Sequence, residues 1–154
     1  MNTTFIIQLI ASIAGTLGFA ILFKLRPKHL VSVSILGGCC YAAYYVVAIH
    51  FGADVFIASL VATAFVAIIS EVFARVSQSP ALVFLLPGLI PIVPGGDLYN
   101  MMKNLITKNS DAALGYGISA IKIAAGVAGG IVIVSVMVNI GEGIGEAIRK
   151  KKKG

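Results

Sequence analysis

Asp97 stands at the end of the run LPGLIPIVPGGDLY, an acid placed directly after three prolines and three glycines in an otherwise apolar stretch. Pro87, Pro91 and Pro94 each lack an N–H and crowd a preceding carbonyl, so no regular hydrogen-bond ladder runs through them. Backbone freed in this way has its own chemistry. Unpaired amides and the positive end of a following helix hold anions, unpaired carbonyls hold cations, and an acid beside them takes a proton or an ammonium group. Pro91, Pro94, Gly95, Gly96, Asp97 and Tyr99 are therefore candidates for a binding path. A proline kink whose loose groups are satisfied by neighbouring helices is the alternative, and the pattern alone leaves both open.

Two further charges sit in apolar surroundings. Lys122, in GISAIKIAAG, is the most deeply placed cation. Such charges are rare inside membranes and often functional. It either faces a cavity, where it would favour a dicarboxylate, or it snorkels or pairs with an acid near the interface. Glu71 is a candidate proton carrier, as is Asp97; a simple i, i+4 ion pair of Glu71 with Arg75 competes with that reading. His50 and Asp54, in HFGAD, receive no role.

Other chemistries fall away. The chain has no G-x-x-x-x-G-K-[ST] loop for nucleotide hydrolysis and no H-E-x-x-H, and its two histidines are expected in loops on opposite faces, so neither a metal nor another cofactor is expected. Cys39 and Cys40 are adjacent in an apolar run, which suits small packing residues better than a disulfide or a metal site. No nucleophile and base pair marks an enzyme.

The elements that must hold these residues are membrane helices. Of 154 residues, 58% are hydrophobic and only 12 basic and 6 acidic side chains are present; the mean hydropathy is +0.99. This is the composition of an all-α polytopic membrane protein, one membrane domain over residues 1–154. Spans are expected over about 4–23, 30–48, 55–76, 80–99 and 112–139, with a basic tail at 146–154. The first run lacks a basic lead and is read as a retained span, not a signal peptide.

With five crossings, Lys24, Arg26, Lys28, Arg75 and the tail Arg149 to Lys153 share one face, while only Lys103 and Lys108 lie on the other. That asymmetry places the chain in the cell membrane with its N-terminus outside and its C-terminus in the cytoplasm. It also explains the net charge of +6 without a nucleic-acid partner.

The fourth span is expected to be short and kinked, capped by Ser79 with Pro80 in its first turn and ending near Pro94. Backbone then runs free through Pro94 to Gly96. Leu98, Met101, Met102, Leu105 and Ile106 follow at the spacing of a short amphipathic helix, with Asp97 at its N-cap. In the first span Gln8, Ser12 and Thr16 form a polar stripe, read as packing or pathway; Tyr41, Tyr44 and Tyr45 read as interfacial anchors. Gly126 and Gly130, and Gly141 and Gly145, are spaced for close helix approach. Glu146 and Lys150 form an i, i+4 pair in the tail.

The run LIPIVPGGDLY resembles the P-x-x-P-G-x-x-x-Y signature of the second half of the threonine/serine exporter (ThrE) family, with Pro91, Pro94, Gly95 and Tyr99 at the matching positions. GFAILFKLRPKHL also looks like the end of that family's first helix and its basic loop. The resemblance implies the small, second-half subunit of a split exporter, working beside a larger first-half membrane subunit in contact with membrane lipid. It implies proton-coupled secondary export of threonine and serine, or of a dicarboxylate such as succinate. A homo-oligomer is compatible with the sequence. The competing function is a structural or assembly subunit that carries no substrate.

Overall fold

The computed structural model describes residues 3–151, with side chains from Thr3 through Gly141 and at Gly143. Every regular element among them is helical: α1 Thr3–Leu22, α2 Pro27–Tyr45, α3 Val55–Ser77, α4 Leu82–Gly88, α5 Gly95–Ile106 and α6 Ser110–Lys151. A π-helical turn, Val46–His50, extends α2, and a 3₁₀ turn, Ile90–Ile92, follows α4. Glu146 and Lys150 lie outside the described side chains.

Four of these helices, Thr3–Leu22, Pro27–His50, Val55–Ser77 and Ser110–Gly141, are long and apolar enough to cross a membrane. The fifth candidate is a bent pair, Leu82–Ile92 with Gly95–Ile106, inclined by 45° at the break. At about 1.5 Å per residue the two halves together reach roughly 29 Å along the first half's axis, close to the depth of a hydrocarbon core. The expected architecture is present: five candidate spans, the fourth short, broken at the Pro/Gly motif and continued by an amphipathic helix.

Small residues set the packing. A Cβ on Gly37 would lie 2.0 Å from Thr16 Oγ1, and one on Gly38 2.7 Å from Ile13, so α2 approaches α1 closely only through this glycine pair. Gly88 lets α4 lie between Leu36 of α2 and Val66 of α3. Phe84, Leu85, Leu36, Val33 and Val66 form the core there, and Cys40 is buried among them while Cys39 is exposed; both are free thiols.

The most intimate seam joins α3 and α6. A Cβ on Gly126 would meet the Phe56 carbonyl at 2.5 Å, and one on Gly130 the Leu60 carbonyl at 2.8 Å. Both numbers rise together, so the two helices run parallel, and the spacing serves packing within the fold. Gly141, by contrast, faces open space. The part of α6 before this seam packs antiparallel on α5, with Met101 against Gly117.

Three local expectations change. The fourth span's helix starts at Leu82, not at Pro80, and its N-cap is Ala81 without a side-chain bond. Ser79 instead finishes α3: its amide donates to the Ala74 carbonyl and its Oγ to the Ser77 carbonyl, after Gln78 turns left-handed at φ 50°. Neither histidine is in a loop: His29 is in the first turn of α2 and only 5% exposed, and His50 ends the π-helical turn.

A candidate site at the broken helix

Pro94 is where the chain changes helix. Its fixed ring and missing N–H suit the position before a helix. It is the N-cap of α5, at φ −75° and ψ 44°, and its carbonyl accepts the first helical bond, from the Leu98 amide at 3.0 Å. The Gly95 amide turns back on the Val93 carbonyl at 2.7 Å. Gly95 and Gly96 are thus already helical, so the irregular backbone is narrower than Pro94 to Gly96; it lies at Val93 and Pro94. Gly96 and Asp97, as the second and third helical residues, have amides with no acceptor inside the helix.

Asp97 does not cap. It sits in the first turn of α5, no side chain caps this helix, and its Oδ2 accepts a hydrogen bond from Ser119 Oγ on α6 at 2.6 Å. Because Pro94 already fills the capping position, the carboxylate is left to reach across to α6.

In front of this turn lies a cavity of about 210 Å³ lined by Tyr41, Tyr44, Pro91, Ile92, Val93, Pro94, Gly96, Asp97 and Ile123. A second recess of about 300 Å³, sharing Tyr41 and Pro91, is walled by Gln8, Ser12 and Gly15 of α1. The Tyr41 hydroxyl donates to Gln8 Oε1, tying the two recesses together. Ser12 Oγ donates to the Gln8 carbonyl at 2.8 Å. The walls therefore hold one carboxylate, two phenol hydroxyls, an amide side chain and the amino end of a helix.

Of the candidate residues, the structure gathers Pro91, Pro94, Gly96 and Asp97 around one cavity. Gly95 adjoins it without lining it. Tyr99 is 68% exposed and lines neither recess. Lys122 is turned elsewhere: its Nζ lies 3.2 Å from both carboxylate oxygens of Asp54, just ahead of α3. Glu71 is half-buried on α3, about 24 Å along that helix from Val55, and lines neither recess.

Several contributors went unassigned in the sequence. Tyr41 and Tyr44 read as interfacial anchors, yet they wall the cavity. Asp54 had no role, and it is the partner of Lys122. Ser119 carried no signal. The Gln8, Ser12, Thr16 stripe was a usable signal, but it divides: Gln8 and Ser12 face the recess, and Thr16 is wholly buried against Gly37.

A multi-pass helical bundle with a discontinuous helix, whose break opens on a cavity lined by one carboxylate and two phenols, is an arrangement that membrane transporters use. The chain belongs to the threonine/serine exporter (ThrE) family: that family's model matches residues 8–137. No solved structure matches it.

Proposed function

We propose that this chain is one half of a secondary exporter for a small zwitterionic amino acid of the threonine/serine type, with the cavity at the broken helix as its substrate path. The carrying observation is the position of Asp97. A carboxylate and the amino end of α5 stand side by side, matching the ammonium and carboxylate of an amino acid, while Tyr41, Tyr44 and Gln8 offer partners for a side-chain hydroxyl. The volumes of the two recesses suit a small substrate. A dicarboxylate such as succinate would need a cation in the walls, and Lys122 is engaged with Asp54 instead.

Export is driven by protons in this reading, with Asp97 alternating between proton and ammonium; Glu71, remote from the cavity, is the secondary candidate for coupling. The N-terminus lies outside and the C-terminus in the cytoplasm, following the excess of basic residues beside the α1–α2 turn and in the tail. The partner is a larger first-half membrane subunit. α1 buries only Thr16 and Ala20, and Gln8 is exposed on a spanning helix, so its side-chain amide would face lipid at a cost that another protein surface removes.

The test loads cells with a threonine-containing dipeptide and follows intracellular threonine, with succinate measured in parallel, in the presence of the chain and its partner. Asp97→Asn and Tyr41→Phe are expected to insert and co-purify with the partner, with export lowered at least about tenfold by Asp97→Asn, the scale of one lost charged hydrogen bond. Normal export by both variants would sink the assignment and favour a purely structural subunit. Wild-type clearance of succinate but not threonine would reverse the choice of substrate.

A further inference from the structure

At the opposite end of the bundle from the broken helix, the α1–α2 and α3–α4 turns enclose a cavity of about 320 Å³. Its walls are Phe23, Lys24, Leu25, Arg26, His29, Gln78, Ser79, Pro80 and Val83. Two of these are cations and none is acidic. Lys24 and Arg26 are exposed at the mouth, whereas His29 is only 5% exposed.

Three features converge on an anion. The first is this unopposed positive charge. The second is the amino end of α2, a helix of 19 residues starting at Pro27, whose dipole favours negative charge nearby, although Pro27 has no N–H and the His29 amide donates to the Arg26 carbonyl at 2.9 Å. The third is His29 itself. Its Nε2 is buried with no hydrogen-bond partner among the described residues, and its ring is held edge-on against the wholly buried Phe84, centroids 5.1 Å apart. Buried polar nitrogens are ordinarily paired, and an orphan on a residue that walls a basic cavity points to an absent acceptor.

We propose that this cavity binds a phosphate group, with Lys24 and Arg26 pairing its charge, the amino end of α2 facing its oxygens, and His29 donating from Nε2. The depth matches phospholipid headgroups, since both turns join membrane-spanning helices, and Phe23, Leu25 and Val83 give the walls an apolar flank suited to a lipid's glycerol and upper acyl chain. A free phosphate has the same oxygens without that flank. The site is independent of the substrate path.

The test uses the purified full chain in micelles of a phosphate-free maltoside detergent, titrated separately with short-chain phosphatidylglycerol and with inorganic phosphate, following thermal stability and retained ligand by native mass spectrometry. Saturable binding is expected. Lys24→Gln combined with Arg26→Gln should weaken it at least about tenfold, the scale of one lost charged hydrogen bond. His29→Gln should weaken it too, while Lys103→Gln with Lys108→Gln, equal in charge but at the end of α5 and in the turn after it, should leave it unchanged. Retention of phosphatidylglycerol alone supports a lipid headgroup site, and equal, Lys24-dependent binding of inorganic phosphate supports a site for the free ion. No binding of either by the wild type overturns the proposal. So does binding that Lys24→Gln with Arg26→Gln leaves intact, or that the Lys103 and Lys108 pair diminishes equally.

Discussion

Lys122 shows how a neighbour decides a residue's meaning. An apolar flank made it a candidate for the substrate path, but Asp54 holds its ammonium at 3.2 Å, with both side chains about half exposed. A pair so open to solvent contributes no more than about 1 kcal/mol. Lys122→Ala is therefore expected to leave thermal stability nearly unchanged and, because it lines neither recess, to preserve export in the dipeptide assay. Loss of export with normal insertion would return Lys122 to the path. Asp97 is the contrasting case: its position suggested both a cap and a place on the binding path, and Pro94 has taken the capping role, leaving the carboxylate to Ser119 and the cavity. The distinction was hidden because a cap and a first-turn acid differ by only a few positions, and the proline's ability to end one helix and start the next decides between them.

Between elements, the glycines do most to determine the fold. A methyl group at Gly126 or Gly130 would press on backbone carbonyls of α3, which cannot rotate away as a side chain would. Gly126→Ala and Gly130→Ala are each expected to destabilise the chain by about 1–3 kcal/mol, the usual cost of overpacking, seen as a lower detergent melting temperature. Gly141→Ala, which meets open space, serves as the neutral comparison. Gly37→Ala should be as damaging because its Cβ would collide with Thr16, and adding Thr16→Gly should restore part of the loss by removing the obstructing atoms. An unrescued double variant would mean that Thr16 does more than fill the gap. The Gly126 and Gly130 spacing was visible in the sequence, whereas Gly37 and Gly38 are adjacent and carry no such spacing.

Seen whole, the molecule's helices were legible because a membrane span is a long one-dimensional signal: α1, α3 and the apolar part of α6 fall within a few residues of their expected limits. The break was legible as well, since prolines announce themselves. What the sequence withheld was lateral arrangement. Hydropathy does not say which side chains of different helices meet, so the cavity's partners Tyr41, Tyr44 and Ser119 emerged only once the helices were set beside one another. The same limit applied to His29, whose burial depends on its ring packing against Phe84 of α4 beside the α3–α4 turn.

The parallel seam between α3 and α6 also carries a sense of time. During synthesis α3 enters the membrane long before Gly126 and Gly130 exist, and Ser59 and Thr63, wholly buried in the finished protein, have no covering helix until then. The nascent chain must therefore wait with hydroxyl groups turned toward lipid or toward whatever holds it at the insertion site. In that order α6 acts as a late-arriving closure for α3, and a product released before α6 is complete would leave this face open to the wrong neighbour.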